Sequence, residues 1–364
     1  MSGVHDIVDL RSDTVTKPCA AMRQAIAMAD VGDDVLERDP TCERLQRRTA
    51  ELLGKEDAIF MPSGSMTNQI ALRLHCRPGD EFLCEAGCHI YNYEQGAFAQ
   101  LSGIVARTIE GKSGVLRPEQ FEGQVRPEND HLVRTRLVAL ENTHNRGAGR
   151  IQPYDYVERI CAWARQHHLA THLDGARLFN AVAATGIAAE KWASHFDTVS
   201  VCFSKGLGAP VGSALAGPRD LIREARRHRK LFGGGMRQAG MLAAGALHAL
   251  ENNRERLTTD HAHAQLLAET IRDTAGLTLQ PDEVDSNIVI FKVEAELGTA
   301  AQFVEWLKRE GVLMLAIGPQ LIRAVTHLDI DLAGMKRASQ VIQKLAQPYT
   351  HQPRPQQAAD AIAR

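Results

Sequence analysis

The stretch "SVCFSKGLGAP" (200–210) places a lysine directly after an apolar segment. Residues 201–203 have the composition of a buried strand, and Lys205 is followed by glycines and a proline, which favour a turn. A lysine that is removed from water at the end of a strand has a lowered pKa, which makes it a nucleophile that can bond to an aldehyde. The alternative is an ordinary surface lysine in a turn, so the rest of the sequence must distinguish the two.

Apolar segments alternate with helical patterns through the middle of the chain, which predicts an α/β fold with a largely parallel sheet between helices. The predicted strands are "AIFMP" (58–62), "EFLCE" (81–85), "GIVARTI" (103–109), "RLVALEN" (136–142), "LATHLD" (169–174), "TVSVCFS" (198–204) and "GSALAG" (212–217). A helix is predicted, for example, from Tyr154. Active sites of such sheets lie at the carboxyl ends of the strands, where this sequence has His89, the segment 141–144, Asp174 and Lys205.

The pattern changes after about residue 252. A charged helix (252–274) is followed by the predicted strands "SNIVIFKV" (286–293) and "QLIRAVTHL" (320–328), with a helix near 299–310, which together indicate a smaller α+β unit. The predicted division is an N-terminal arm (1–20), a large domain (21–252), a small C-terminal domain (253–348) and a polar tail expected to be disordered (349–364).

Composition excludes several classes of protein. With 364 residues, 44% hydrophobic and 24% charged, the chain has the composition of a globular protein. A formal net charge of −2 gives no general attraction to nucleic acid or to an anionic membrane. No signal-peptide core is present, and seven cysteines without a CxxC pair favour a reducing cytoplasm. Cys84, Cys88 and His89 could form part of a metal site, but no fourth ligand is evident, so no metal is predicted.

Pyridoxal phosphate bonded to a strand-end lysine makes demands that the sequence can be checked against. Its pyridine nitrogen needs a carboxylate, and Asp174 ends a predicted strand one helix and one strand before Lys205. Its phosphate needs N–H groups at a helix start, which Ser63, Gly64 and Ser65 in "PSGSMTNQ" can supply. Each feature alone has a plain alternative, since Asp174 can cap the next helix and many strand-to-helix loops resemble 63–65.

Two further side chains fit the same cofactor. His89, after "EFLCEAGC", could stack on the ring or transfer protons, although a single histidine is more often structural. Arg177 in "DGARLF" could reach the ring hydroxyl oxygen, or could form an exposed salt bridge instead. The order of all these residues along one α/β chain favours a pyridoxal-phosphate enzyme.

Longer motifs identify a family resemblance that runs from about residue 8 to about residue 345. The motifs are "VDLRSDTVTKP" (8–18), "VGDDV" (31–35), "PSGSMTNQ" (62–69), "ENTHNRGAGR" (141–150), "HLDGARLFNA" (172–181), "SKGLGAPVGS" (204–213), "GGGMRQAG" (233–240) and "RAVTHLD" (323–329). They resemble the low-specificity L-threonine aldolases, which are fold-type-I pyridoxal-phosphate enzymes. The resemblance implies that fold, with a mostly parallel mixed sheet between helices in a large domain and a smaller α+β C-terminal domain.

The resemblance also implies how the cofactor is held. Lys205 resembles the Schiff-base lysine, Asp174 the partner of the pyridine nitrogen, and His89 the residue stacked on the ring. Arg177 resembles the contact to the ring hydroxyl. Gly64 and Ser65 resemble the phosphate cradle, and the remaining cofactor residues implied are Ser63, Ser204 and, from a neighbouring subunit, Arg237.

The implied reaction is the cleavage of L-threonine, L-allo-threonine and related β-hydroxy-α-amino acids to glycine and an aldehyde, so the chain is expected to be a carbon–carbon lyase. Ser12 and Arg323 resemble the groups that hold the substrate carboxylate, with Arg177 beside them. His144 resembles the histidine that faces the substrate hydroxyl, and either His89 or His144 is the candidate base. The family implies a homotetramer of paired dimers with each site at a dimer interface.

Two alternatives stay open at this stage. Another reaction at Cα, whether β-elimination, racemisation or transamination, would use the same Lys205 and Asp174. A non-catalytic protein that keeps the fold for partner binding is the other, although the intact set of Lys205, Asp174 and Arg177 argues against it.

One segment departs from the family. Relatives typically read "DDVYGEDPT", whereas this chain reads "DDVLERDPT", with Leu36 for an aromatic residue, Glu37 for glycine and Arg38 for an acid. Glycine serves unusual backbone angles that glutamate adopts poorly. In the family the aromatic residue stands near the substrate entrance, so the departure concerns substrate preference more than cofactor binding. Arg38 either accepts an acidic β-substituent or faces solvent.

Overall fold

The computed structural model describes residues 7–347, and its architecture is α/β. The first residues of the predicted N-terminal arm (1–6), the last residue of the predicted small domain and the predicted disordered tail lie outside the described residues. No helix between residues 7 and 347 is both long enough and apolar enough to cross a membrane.

The strands in this part of the chain are short to medium in length. They are β1 (Val8–Asp9), β2 (Asp57–Met61), β3 (Asp80–Glu85), β4 (Val105–Ile109), β5 (Arg134–Glu141), β6 (Ala170–Gly175), β7 (Thr198–Cys202), β8 (Ser213–Gly217), β9 (Leu277–Leu279), β10 (Ile288–Val293), β11 (Val312–Leu313), β12 (Leu315–Ala316) and β13 (Leu321–Val325).

The helices fall mainly between these strands. They are α1 (Ala20–Ala27), α2 (Pro40–Leu53), α3 (Gly64–His75), α4 (His89–Asn92), α5 (Ala97–Ser102), α6 (Tyr154–Gln166), α7 (Leu178–Thr185), α8 (Ala189–Ala193), α9 (Arg219–Leu231), α10 (Gly240–Asn252), α11 (Leu257–Arg272), α12 (Ala300–Arg309) and α13 (Leu332–Ala346). Short 3-10 turns lie at Asp13–Val15, Pro118–Phe121 and Ala295–Leu297.

The large sheet has the strand order β2-β8-β7-β6-β5-β3-β4. Only β8 runs antiparallel to its neighbours β2 and β7; the other pairings in this sheet are parallel. All seven strands predicted for the middle of the chain are therefore present in one mostly parallel mixed sheet, which confirms the predicted fold class. Residues of β7 are buried throughout because helices cover both faces of the sheet.

The strand that precedes Lys205 ends earlier than predicted. It was expected to continue to Ser204, but β7 ends at Cys202. The reason is a tight connection to β8, in which Gly212 has a φ of 107° and Phe203 N donates to Gly212 O at 3.0 Å. A turn closed by Gly208 N and Lys205 O, 2.8 Å apart, follows at once and presents the lysine at the sheet edge.

A second sheet, with the order β12-β13-β10-β9, is antiparallel and packs with α11, α12 and α13. It has an apolar core of its own that includes Leu267, Phe291, Phe303 and Ile342. The charged helix predicted from residue 252 begins at Leu257, because α10 continues to Asn252 before the chain turns. The domain boundary at 252 stays a prediction.

The N-terminal arm joins the two sheets. Strand β1 pairs in parallel with β11, and Val325 N donates to Leu10 O at 2.8 Å. Val8 and Leu10 are buried in the second apolar core. The arm therefore carries Ser12 and Asp13 to the carboxyl-end edge of the large sheet.

Candidate active site

Polar side chains meet at the carboxyl ends of four adjacent strands of the large sheet. His89 begins α4 after β3, His144 follows β5, Asp174 lies near the end of β6, and Lys205 comes three residues after β7. Because β3, β5, β6 and β7 are parallel neighbours, their ends lie side by side. The sequence-predicted residues Lys205, Asp174 and His89 are thus brought to one edge of the sheet.

Asp174 is buried, and each of its two carboxylate oxygens accepts a hydrogen bond from the protein. Its Oδ1 accepts from Ala176 N at 3.0 Å, and its Oδ2 accepts from Asn68 Nδ2 at 2.8 Å. The second hydrogen of the Asn68 amide is donated to Glu94 Oε1 at 2.9 Å. The polar atoms of His89, Glu94 and Asp174 lie within 4.8 Å of one another.

His89 has one ring nitrogen fixed and the other free. Its Nδ1 lies 3.0 Å from Glu94 Oε1, and because a carboxylate only accepts, Nδ1 carries the hydrogen. In the described part of the chain Nε2 has no protein partner, and 29% of the side chain is exposed. Burial lowers the pKa of His89, but the hydrogen bond to Glu94 and the charge of Asp174 outweigh it, so the pKa is raised.

His144 has both ring nitrogens occupied by the protein. Its Nδ1 accepts from Gly147 N at 3.0 Å, and its Nε2 lies 2.8 Å from the carboxylate of Glu85. The side chain is buried. Burial opposes its charging, but Glu141 and Glu85 raise the pKa of His144 overall. The resemblance has this residue facing the substrate hydroxyl, whereas here it presents no free nitrogen.

Arg177 forms a buried ion pair with Asp13 rather than an exposed salt bridge. Its Nε and Nη2 donate to the two carboxylate oxygens of Asp13 at 2.7 and 2.8 Å. Burial raises the pKa of Asp13, but the charge and hydrogen bond of Arg177 and the charge of Lys205 lower it to about 2. The third nitrogen of Arg177 lies 3.4 Å from Asn145 Oδ1.

Arg323 shares the Asn145 oxygen with Arg177. Its Nη1 donates to Asn145 Oδ1 at 3.2 Å, and its buried Nε has no partner within residues 7–347. Burial and the charge of Arg177 lower the pKa of Arg323. Ser12 lies next to Asp13 in the N-terminal arm, and its Oγ accepts a hydrogen bond from Thr14 Oγ1 at 2.8 Å. An unsatisfied guanidinium nitrogen beside a second arginine is suited to a carboxylate ligand.

Lys205 is half-buried and makes no hydrogen bond or ion pair to any described residue. Lys205 is close enough to Asp13 and His89 for its positive charge to lower the pKa of Asp13 and to oppose the rise in the pKa of His89. Ser204 Oγ lies 3.4 Å from Cys202 Sγ. The amine is therefore available to a ligand.

The start of α3 leaves backbone donors available. Ser63 caps the helix, since its Oγ accepts from Met66 N at 3.2 Å. The N–H groups of Gly64 and Ser65 have no acceptor inside the helix, and no other described residue accepts from them. The buried Ser213 Oγ, also unpartnered there, stands 3.5 Å from where a Cβ on Gly64 would lie. A side chain at position 64 would fill this space.

The segment that departs from the family lies at the surface. Leu36 is 80% exposed, and Arg38 pairs with Glu43 at 3.2 Å with 65% of its side chain exposed. The positive φ anticipated at Glu37 occurs one residue later, since Arg38 has a φ of 75°. Arg237 is also exposed and pairs with Asp33 at 3.2 Å.

Several residues of the site were not predicted. Asp13 and Asn145 are next to Ser12 and His144 in the quoted motifs, and Asn68 lies one helical turn after Gly64, so position alone could have suggested them. Glu85 ends the predicted strand 81–85, so its position also offered a signal. Glu94 had none, because only the fold shows that its carboxylate is buried against His89.

Comparisons with known proteins agree with this geometry. The family described as Beta-eliminating lyase matches residues 9–294. The low specificity L-threonine aldolase of Escherichia coli (strain K12) is 42% identical over 326 residues, which cover 89% of this chain and 95% of the relative. Low-specificity L-threonine aldolase 1 of Arabidopsis thaliana is 41% identical, with 89% and 92% covered. A structure of Leishmania major threonine aldolase has a TM-score of 0.80 at 23% identity, covering 93% of this chain and 99% of that one, and is similar in fold.

Proposed function

Because the chain belongs to the low-specificity L-threonine aldolases, we propose that it cleaves L-threonine, L-allo-threonine and related β-hydroxy-α-amino acids to glycine and an aldehyde. The protein is a carbon–carbon lyase, and we propose that it depends on pyridoxal 5'-phosphate. The observation that carries the proposal is the histidine beside Asp174, whose one ring nitrogen is bound to Glu94 while the other is free.

The residues of the site fit three parts of the cofactor, which are its phosphate, its pyridine nitrogen and its aldehyde. The free amides of Gly64 and Ser65, together with the unpartnered Ser213 hydroxyl, form a donor-lined space suited to a phosphate. Asp174 offers a buried carboxylate for the pyridine nitrogen, and Lys205 an unpaired amine for the aldehyde. The chemistry that the cofactor supplies when bound is an electron sink at the substrate Cα.

Arg323 is the residue that we assign to the substrate carboxylate. Its Nε is buried and unpartnered, and Asn145 and the backbone of Arg11 fix its other nitrogens at 3.2 and 3.4 Å. Arg177 is already bound to Asp13 through two nitrogens, so its part is to hold the arm in place and to add positive charge. A substrate held through its carboxylate has its β-hydroxyl in a defined orientation.

His89 is the residue that we assign as the general base. Glu94 fixes the tautomer in which Nε2 carries a lone pair, and its charge stabilises the cation that forms when Nε2 takes the proton of the hydroxyl. As that O–H bond breaks, a C=O bond forms and the Cα–Cβ bond breaks, so the aldehyde leaves and the electron pair of the broken bond stays on the Cα side. Glycine results when Cα gains a proton, and the release of the proton held by His89 balances that gain. His144 is better suited to supporting the pocket wall, because Gly147 and Glu85 occupy both of its nitrogens.

The proposed assembly is a homotetramer of paired dimers in the cytoplasm, with Arg237 reaching the phosphate of a neighbouring subunit. Support comes from the family and from the exposure of Arg237, of which 59% of the side chain is accessible in one chain. The seven cysteines are free, as is typical of proteins in a reducing compartment. Neither a nucleic acid nor a membrane is proposed as a partner.

The test is product analysis on the purified protein with pyridoxal phosphate. L-threonine and L-allo-threonine should yield glycine and acetaldehyde, and Lys205→Ala should lose both the yellow colour of the bound cofactor and the activity. Pyruvate or a keto acid with ammonia, or an inverted amino acid, in place of glycine would replace the proposed reaction by elimination, transamination or racemisation. A coloured, fully active Lys205→Ala variant would refute the assignment of the lysine.

A further inference from the structure

A line of hydrogen bonds leads from Asp174 between α3 and the strands β6 and β7 on which it packs, and ends at His75, the last residue of α3. We propose that His172, Thr198 and His75 form a relay that positions Asp174 through Asn68 and thereby strengthens the binding of the cofactor. The inference rests on the proposed function, because it gives Asp174 the pyridine nitrogen as its partner. None of the three relay residues lies in the pocket itself.

The relay is continuous. His172 Nε2 lies 3.2 Å from Asn68 Oδ1, and His172 Nδ1 lies 3.0 Å from Thr198 Oγ1. Thr198 Oγ1 in turn lies 2.9 Å from His75 Nε2. His172 and Thr198 face each other in the register of β6 and β7, and both are completely buried. The regular pairing of two central strands therefore holds the middle of the line.

The carboxylates of Asp174 and Glu94 determine which atom is the donor in each hydrogen bond of the relay. Both hydrogens of the Asn68 amide are donated, to Asp174 and to Glu94, so its oxygen must face His172 and accept from Nε2–H. Burial lowers the pKa of His172 to about 3, so the ring is neutral and its Nδ1 accepts. Thr198 must then donate to His172.

His75 lies at the end of the relay farthest from Asp174, and its hydrogen bond has the same direction as the others. Since the Thr198 hydroxyl hydrogen is used on His172, its oxygen accepts from His75 Nε2–H. Burial lowers the pKa of His75 to about 4 against the opposing charge of Asp197, so this ring is also neutral. Every bond from His75 to Asn68 thus points its hydrogen towards the carboxylates, and aligned hydrogen bonds of this kind polarise one another.

Asn68 connects the relay to the residues of the site. One amide group holds Asp174 and Glu94 together, and Glu94 holds His89. A shift of that amide would move both the partner of the pyridine nitrogen and the support of the base. The hydrogen bond from His172 to Asn68 Oδ1 therefore helps to fix the positions of both Asp174 and Glu94. His172, Thr198 and His75 are positioning residues in this arrangement.

The experiment compares Thr198→Val with Thr198→Ser in the full chain. Valine removes the hydroxyl while keeping the shape, whereas serine keeps the hydroxyl. The measurements are the dissociation constant of pyridoxal phosphate from the apoprotein, the absorption spectrum of the bound cofactor, and the melting temperature of the apoprotein. We expect Thr198→Val to weaken cofactor binding roughly 3–10-fold, the effect of one lost hydrogen bond, and Thr198→Ser to stay near the wild type.

The outcomes separate the inference from the proposed function. A Thr198→Val protein that melts earlier but binds the cofactor with the wild-type constant and spectrum would reduce the relay to a structural role and overturn it. Should Thr198→Val not fold, His75→Phe at the half-buried end, with His75→Gln as the variant that keeps a donor, gives the same comparison. A wild-type protein that does not bind pyridoxal phosphate would overturn the proposed function, and the relay's role with it.

Discussion

The pairing of His89 with Glu94 is the residue-scale feature on which the proposed role of His89 as general base most depends. It selects the tautomer with a free Nε2 and also changes the acidity of the ring, because a carboxylate beside an imidazole favours the protonated form. Since a base must be deprotonated to act, the same contact that orients His89 also sets the pH above which it works.

The pH profile should report this contact. The value of kcat/KM for L-threonine is expected to rise with pH through a pKa above about 6.5, the ordinary value for histidine. Glu94→Gln removes the negative charge, so the rising limb should move to lower pH even if the maximum rate falls. Steady-state rates between pH 5 and 9 measure it. An unmoved limb in Glu94→Gln would mean that another group titrates.

The sequence alone predicts the site residues whose chemistry is unusual for their position in the fold. Lys205 after a strand and Asp174 at the end of another are recognisable from the letters alone. Asn68 is marked only by its place one helical turn after Gly64. Glu94 is not marked at all, because a carboxylate in the loop between α4 and α5 is ordinary until the fold shows it buried against His89 and the Asn68 amide. Arg177 illustrates the same limit, since only the fold reveals that its partner is Asp13, from the distant N-terminal arm.

At the scale of elements, the N-terminal arm is held by one buried ion pair as well as by β1. Asp13 contacts Arg177 after β6 and, at 3.4 Å, Asn287 before β10, so it touches residues next to both sheets. Both partners of the ion pair are almost completely inaccessible to water. Breaking a buried pair leaves an uncompensated charge, which is much more costly than losing a surface pair.

Asp13→Ala is therefore expected to destabilise the protein by about 3–5 kcal/mol at pH 7. The folded pKa of about 2 lies below the unfolded value, so the pH-dependent part of this stabilisation is complete above about pH 4 and is lost as the pH falls through about 2. Urea unfolding at pH 7 measures the change. Arg11→Ala, which breaks the exposed pair of Arg11 with Asp9 on the same arm, is the control and should cost far less.

The existence of the strands was predictable, but their ends and their order in the sheet were not. Apolar β-rich runs mark each strand of the large sheet, yet β4 starts two residues late and β7 stops two residues early. The end of β7 is decided by the antiparallel return of β8, a contact between strands that the composition of a single strand does not encode. The antiparallel direction of β8 was likewise absent from the sequence-based prediction.

In residues 7–347 two large apolar cores, with three smaller clusters beside them, flank the arm that joins the sheets, and the site lies beside that arm. One chain supplies Lys205, Asp174, His89 and Arg323, whereas Arg237 lies exposed on its surface. If two chains share each site, then no chain is complete without its neighbour.

Complementation between two inactive variants tests sharing directly. Lys205→Ala and Arg237→Ala should each be strongly impaired alone, but when co-expressed they should form mixed dimers with one intact site, containing Lys205 of one chain and Arg237 of the other. Recovered aldolase activity in the mixed preparation, measured against each variant alone, is the expected result. No recovery, with mixed dimers demonstrated by differential tagging, would place Arg237 outside the shared site.

The arm also imposes an order on biosynthesis. Its strand is translated long before its pairing partners Val312 and Leu313 and the amide of Val325. Until then Ser12 and Asp13 have no backbone anchor on the second sheet, and Arg323 itself has not been made. A nascent chain can therefore form most of the large sheet before the residue proposed to hold the substrate carboxylate exists, so the proposed substrate site is completed only after β13 has been made.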